Sequence, residues 1–293
     1  MYLRSFFLPG DTFERNFMEH DAEAQRTCYP SFYPFGIFCE RGLRELEFAP
    51  ITCFYGGNGS GKTTLLNLIA ETYRFRRGAP FNQTSFFERY VARCREIQPR
   101  QGSLPSASSI LTSDDVFQYL LETRRENDAA EQKRLALLEQ YRETKHTAFQ
   151  MSSLEEYDRL KEYNAIQRNT ASGYVKRRVE AAEKESSNGQ CAFRFFTEQI
   201  QEAGVYLLDE PENSLSVERQ IELSRFLEDS ARFFGCQFIL STHSPFLLAM
   251  EGAKVYDLDV IPIRERKWTE LENVRRQFDF FAAHAEQFRC DKR

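Results

Sequence analysis

The run Ile51-Thr52-Cys53-Phe54-Tyr55, followed by Gly56-Gly57-Asn58-Gly59-Ser60-Gly61-Lys62-Thr63-Thr64 and then Leu65, Leu66, Leu68 and Ile69, constrains this chain more than any other feature. An apolar β-type run, a glycine-rich turn and an amphipathic stretch in that order predict a strand, a loop and a helix, with G-x-x-x-x-G-K-[ST] spacing at the loop. Glycines let the backbone curl closely around an anion and turn successive N–H groups inward, and the helix N-terminus adds its dipole. Asn58, Gly59, Ser60, Gly61, Lys62, Thr63 and Thr64 are therefore expected to cradle the phosphates of a nucleotide. Lys62 is expected to reach the β and γ phosphates, and the Thr63 hydroxyl to join the shell of a Mg²⁺ ion.

A second apolar run, Val205-Tyr206-Leu207-Leu208, ends in Asp209-Glu210-Pro211-Glu212. Two adjacent acids beside a triphosphate need a metal to offset them, which fits a Mg·ATP site with Asp209 in the metal shell. Glu210 is expected to orient and deprotonate the attacking water. A third run, Phe238-Ile239-Leu240-Ser241, ends in Thr242-His243-Ser244-Pro245 and carries one of only four histidines. In a parallel sheet its end faces the same crevice as Glu210, so His243 is expected to sense the γ-phosphate and position the water. Ser186-Ser187-Asn188-Gly189-Gln190 opens an aromatic-rich helix and reads as an anion-binding helix start, or as an ordinary cap.

Taken in order, these motifs resemble an ABC-type ATPase head, and more narrowly the small stand-alone bacterial ATPases allied to the SMC and RecF branch. Asp209 to Ser216 (Asp-Glu-Pro-Glu-Asn-Ser-Leu-Ser) and Ser241 to Pro245 carry the closest wording. The resemblance covers about residues 1 to 120 and 184 to 260. It implies an α/β P-loop NTPase fold, an ABC-type head with an inserted helical arm, and ATP and Mg²⁺ as cofactors. It also implies a head-to-head dimer in which Ser187, Asn188, Gly189 and Gln190 of one subunit meet the γ-phosphate held by the other. Asn213 to Ser216 would form the loop across that interface. The signature departs from Leu-Ser-Gly-Gly-Gln, with Ser186 and Asn188 in place of Leu and the first Gly. Asn tolerates a left-handed backbone better than most residues. The Gln that usually joins the metal shell has three candidates, Gln83, Asp114 and Asp115.

The stretch from Glu122 to Glu185 has another character, with 13 acidic and 13 basic residues, a single Phe (Phe149) and no Pro. Narrow apolar stripes at Leu135, Leu138 and Tyr141, then Leu154, Tyr157, Leu160, Tyr163 and Ile166, predict an antiparallel helical pair turning near Thr144 to Ser153. The expected organisation is residues 1–121 and 186–293 as the two parts of the head, with 122–185 inserted. In the flanks, Tyr2 to Leu8, Ile51 to Tyr55, Val205 to Leu208, Gln237 to Ser241 and Lys254 to Leu258 read as strands alternating with helices. Gly235 is placed to cap the helix after Ser216, and Thr269 with Glu272 has capping-box spacing.

Composition excludes other classes. No apolar run approaches the roughly 18 residues of a membrane span, and Met1 to Gly10 is no secretory signal, so an intracellular, cytoplasmic protein without membrane insertion is expected. Seven widely spaced cysteines without a Cys-x-x-Cys pair read as reduced thiols. A net charge of −5 argues against a nucleic-acid surface over the whole protein. The clusters Arg74, Arg76, Arg77 and Arg93, Arg95, Arg100, and the run Lys176 to Arg178, read either as local phosphate contacts or as solvated surface. The functional expectation is ATP hydrolysis whose dimerisation regulates a DNA-linked or defence-type complex, with a separate nuclease or toxin subunit as effector. The alternatives are the nucleotide-binding subunit of a transporter and a nucleotide-gated binding module with little hydrolysis.

Overall fold

The computed structural model describes residues 1–22, 24–26, 32–97, 104–149, 153, 156–179 and 188–288. The chain divides into two compact units, Met1–Val116 with Ala192–Arg293, and Phe117–Cys191. In chain order, the first unit opens with β1 (Ser5–Phe7), α1 (Asp11–His20), β2 (Glu45–Glu47), β3 (Ile51–Tyr55) and α2 (Lys62–Tyr73). It continues with β4 (Arg76–Arg77), α3 (Phe87–Val91), β5 (Arg95–Ile97) and β6 (Ser109–Thr112). Next come α4 (Ser113–Lys145), α5 (Tyr157–Arg168) and α6 (Ala171–Lys176), then α7 (Asn188–Gln199). The remainder is β7 (Val205–Asp209), α8 (Val217–Phe233), β8 (Gln237–Ser241), α9 (Pro245–Leu248), β9 (Lys254–Asp257), β10 (Arg264–Glu265) and α10 (Glu272–Ala283).

The main sheet has the order β10-β9-β3-β8-β7-β6-β4, parallel except for the β9–β10 pair. Every residue of β3 and β8 is buried, as is β7 up to Leu208, which is the continuous apolar pattern of strands covered on both faces. Register carries the functional consequence. Ser241 pairs with Phe54 and with Asp209, and Asp209 pairs with Thr112. The carboxyl ends of β3, β8, β7 and β6 therefore lie abreast, where ligands bind in open parallel sheets.

A smaller antiparallel sheet, β2-β1-β5, is tied to the main one by the Tyr256 hydroxyl, which bonds the N–H and carbonyl of Glu47 at 3.0 Å, and near its start by the amide of Gln237. Gln237 Oε1 accepts from the Tyr2 and Leu3 N–H groups at 2.8 Å, and its Nε2 donates to the carbonyls of Leu3 (2.9 Å) and Ala49 (3.1 Å). Aromatic packing fills the N-terminal part: Phe17 stacks on Phe35 at 4.1 Å, and Phe35 meets Tyr90 edge-on at 4.9 Å. Among these rings Glu14 is fully buried, accepting from the Tyr90 hydroxyl at 2.9 Å and from the Gly36 N–H at 2.7 Å. A buried carboxylate with two donors pins the segment that follows Gly36.

Ser216 caps α8 through the Arg219 N–H, and Gly235 closes it in the left-handed region at φ +69° while Cys236 N–H returns to Ser230 O. The capping box expected at Thr269 is not formed. Trp268–Glu270 is a 3₁₀ turn, and α10 begins only at Glu272, after Leu271, whose fully buried side chain fixes the start instead.

α4 is a continuous helix of 33 residues, and in the second unit the end of α5 and α6 pack against its last turns. Ile166, Tyr174 and Val175 form a small core with Leu137, Leu138 and Tyr141. The Tyr141 hydroxyl donates to Asn169 O at 2.9 Å, and Lys145 Nζ donates to the carbonyls of Ile166 and Gln167 at 3.2 and 3.0 Å. Among the described residues no helix is long and apolar enough to cross a membrane.

Candidate functional site

The glycine-rich loop joins β3 to α2 and is held from outside its own motif. Gly61 adopts φ +98°, and a Cβ there would sit 2.9 Å from Phe38 Cε1, so the backbone conformation and the close approach both require glycine. Phe38 is placed by the segment that Glu14 pins. From the same segment Arg41 Nη1 donates to Ser60 O at 2.9 Å and to Leu258 O at 3.3 Å. Neither Glu14 nor Arg41 carries a sequence signal, because each bonds groups of distant residues that only the fold brings near.

Lys62 is only 4% exposed, with Nζ on Gly56 O at 2.8 Å, on Gly57 O at 3.2 Å and 3.3 Å from Glu210 Oε1. The Thr63 hydroxyl donates to Asp209 Oδ1 at 3.0 Å, and the Ser241 hydroxyl donates to the same oxygen. Burial raises the Asp209 carboxyl above its usual range, partly offset by the Ser241 and Thr63 hydroxyls. A desolvated carboxylate beside a hydroxyl fits the hard-oxygen preference of Mg²⁺, and a cation bound there would offset the desolvation that raises the carboxyl.

Glu210 follows Asp209 in the left-handed region, at φ +47° and ψ +55°, a conformation uncommon for a non-glycine residue. Its N–H bonds to both the carbonyl and the hydroxyl of Ser241 at 3.0 Å, and this double anchor overcomes the local strain. The turned backbone aims the carboxylate at three partners: His243 Nε2 at 3.1 Å, Lys62 Nζ at 3.3 Å and Asn213 Nδ2 at 3.0 Å. The His243 contact, followed by Asn213 and Lys62, lowers the carboxyl to about 2 against the pull of burial. Glu210 is thus an ionised carboxylate with a fixed direction.

Glu212, at the end of the acidic run, is held inside the turn that follows β8. Its Oε1 accepts from the N–H groups of His243 and Ser244 and from the Thr242 hydroxyl at 2.8 Å, so it fixes the turn that presents His243. Burial raises this carboxyl, and Oε2 is enclosed without a hydrogen-bond partner.

Beside Thr63, Thr64 and Asp209 opens a cavity of about 650 Å³ whose lining includes Tyr33, Arg77, Gln83 and Asp114. Asp115 is turned away into backbone, accepting from the Ala79 N–H at 2.7 Å, the Thr112 N–H at 2.8 Å and the Thr112 hydroxyl at 2.7 Å. Of the three candidates for the metal-side Gln, Gln83 and Asp114 face the cavity and Asp115 anchors the strand end. Arg77 also lies at this cavity: its guanidinium bonds Asn67 Oδ1 at 2.6 Å and covers the Phe81 ring at 4.2 Å. Arg100 lies outside the described residues.

Of the signature, Asn188, Gly189 and Gln190 form the first turn of α7, with Arg124 donating to Asn188 Oδ1 at 2.8 Å. Ser186 and Ser187 lie outside the described residues.

Residues 175–249 match the family described as "AAA domain, putative AbiEii toxin, Type IV TA system". No curated protein matches the chain. Among solved structures, the chain is similar to an SMC head domain with an extended coiled coil from Pyrococcus furiosus, crystallised with the C-terminal domain of ScpA. That pair shares 12% identity over 80% of this chain and 95% of that one, with a TM-score of 0.39. An SMC head domain from Thermotoga maritima gives 12% identity over 91% and 99%, with a TM-score of 0.37. A dimeric ATP-binding cassette bound to ADP and Pi gives 17% identity over 78% and 90%, with a TM-score of 0.33. The glycine-rich loop between β3 and α2, set at the carboxyl end of a mostly parallel sheet, gives this chain an α/β P-loop fold.

Proposed function

We propose that this ABC/SMC-like P-loop protein binds ATP with Mg²⁺ and hydrolyses it. The observation that carries the reading is the convergence of Lys62, Thr63, Asp209, Glu210 and His243 from three adjacent strand ends onto one crevice. Residues Asn58 to Thr64 bind the phosphates through backbone N–H groups, the Lys62 ammonium and the Thr63 and Thr64 hydroxyls. Thr63 and Asp209 would hold Mg²⁺, whose chemistry there would be to neutralise phosphate charge. Glu210 takes the proton of the attacking water, and His243, bonded to Glu210, orients that water against the γ-phosphate.

In this reading two heads close on two nucleotides. Ser187, Asn188, Gly189 and Gln190 act on the γ-phosphate of the partner, with Asn213 to Ser216 at the interface. The closure drives a regulatory, defence-type or DNA-linked complex in the cytoplasm, and the family match over residues 175–249 favours a toxin-like effector over a nuclease. The decisive experiment combines ATP turnover with ATP-dependent dimer formation by light scattering, on the wild type and on Ser187→Arg. The expected result is turnover and dimerisation in the wild type, with both lost and ATP binding kept in Ser187→Arg. A monomer that turns over ATP normally overturns the sandwich. Mass spectrometry of the native complex identifies the effector.

A further inference from the structure

One peptide group of the phosphate loop is gripped at both ends. The carbonyl of Gly56 accepts from Lys62 Nζ at 2.8 Å, and the N–H of the same peptide, that of Gly57, faces the Asp259 carboxylate at 2.8 and 2.9 Å. Asp259 lies outside the loop motif, in the turn between β9 and β10. That turn is rigidly placed. The Asp259 N–H donates to Asp257 Oδ1 at 3.0 Å, and Asp257, only 2% exposed, pairs with Arg266 at 3.2 Å. Arg41 joins the turn to the loop by bonding Leu258 O and Ser60 O. A full negative charge is therefore fixed against a loop whose chemistry is the capture of anions.

Two physical effects act in one direction. An anion on the N–H end polarises the peptide and makes the Gly56 carbonyl a stronger acceptor for the Lys62 ammonium. The same charge repels a polyphosphate entering the cradle. A bound nucleotide competes for Lys62 with the carbonyls of Gly56 and Gly57, so whatever strengthens those bonds weakens nucleotide capture.

We propose that Asp259 is a positioning residue that holds Lys62 on the loop backbone through the Gly56–Gly57 peptide and so restrains nucleotide affinity. The proposal rests on the nucleotide-binding reading above and adds a set point to it. The affinity of the loop is tuned from the β9–β10 turn.

The test is titration calorimetry of the full chain with ATP and with ADP, at low and high salt, for the wild type, Asp259→Asn and Asp259→Ala. Asn keeps an acceptor for the Gly57 N–H and removes the charge; Ala removes both. Asp259→Asn is expected to bind ATP about threefold tighter than the wild type at low salt, with a smaller gain for ADP and a smaller gain at high salt. Asp259→Ala, lacking the anchor, is expected to bind more weakly than Asp259→Asn. A merely structural aspartate gives no gain in affinity. If the Asn variant melts early, Asp259→Ser repeats the test with the same loss of charge. Wild-type binding with Asp259→Asn equal or weaker overturns this inference alone; a wild type that binds no nucleotide overturns the functional reading with it.

Discussion

Oε1 of Glu210 lies 3.1 Å from Nε2 of His243, and the same oxygen is 3.3 Å from Nζ of Lys62. One carboxylate oxygen thus joins the histidine turn to the phosphate loop, and the left-handed backbone at Glu210 is what brings it there. Glu210→Gln keeps the shape and removes the base. Turnover is expected to fall by about a hundredfold or more, with ATP affinity retained, as measured by phosphate release beside equilibrium binding. Turnover within tenfold of the wild type removes Glu210 from the role of base.

The depressed Glu210 carboxyl also has a stability signature. A group lowered from 4.5 to about 2 in the fold contributes stability that is complete above pH 4.5 and is lost as pH falls towards 2. Urea midpoints of the wild type and Glu210→Gln should converge through that window and stay separated from pH 5 upward. Parallel curves across the whole range contradict the contacts that lower this group.

Lys62→Ala tests the cradle independently of hydrolysis. Lys62 is buried, and its ammonium is shared by two carbonyls and Glu210, so its loss removes the charge-assisted bonds available to a phosphate. ATP affinity is expected to fall about tenfold or more. Fluorescence anisotropy with a labelled nucleotide reads this directly, and unchanged affinity contradicts the loop assignment.

The parts of the site legible in the sequence were those in which chemistry and local geometry coincide. A phosphate loop needs glycines, Lys and Thr at fixed spacing, and a buried strand ending in acids advertises both its burial and its chemistry. Glu14, Arg41, Glu212 and Asp259 act differently, each bonding backbone N–H or carbonyl groups that the fold alone brings near. No period or spacing encodes such contacts. Asp114 and Asp115 are neighbours with the same charge, and only the backbone at the end of β6 separates the one at the cavity from the one buried on Ala79 and Thr112. The Thr269 and Glu272 spacing matched a capping box, yet burial of Leu271 moved the helix start past it.

Glu212 offers a test of positioning distinct from chemistry. Glu212→Ala leaves the N–H groups of His243 and Ser244 and the Thr242 hydroxyl without that acceptor, at an expected cost of about 2 kcal/mol in stability. Because His243 is then free to shift, kcat should fall about tenfold to a hundredfold while ATP affinity changes little. Glu212→Gln keeps one acceptor oxygen and should recover most of the kcat. Equal loss in both variants points to a requirement for charge instead of placement.

The second unit has its own weak point. Its core is small, and Ile166 is its fully buried aliphatic member, packed with Tyr174 and Val175 against Leu137, Leu138 and Tyr141. α5 and α6 are also held by polar ties such as Tyr141 to Asn169 and Lys145 to Ile166 and Gln167, which water can replace at modest cost. Ile166→Ala is expected to cost about 2 to 4 kcal/mol locally. In so small a core that loss opens α5 and α6, so hydrogen exchange of their amides should accelerate on the order of thirtyfold or more, since each 1.4 kcal/mol is about tenfold. Tyr141→Phe, which removes one part-buried hydroxyl and keeps the ring, should change exchange by less than tenfold. Protection of α5 and α6 that survives Ile166→Ala would mean that the polar ties, and not the apolar stripe, hold the arm together.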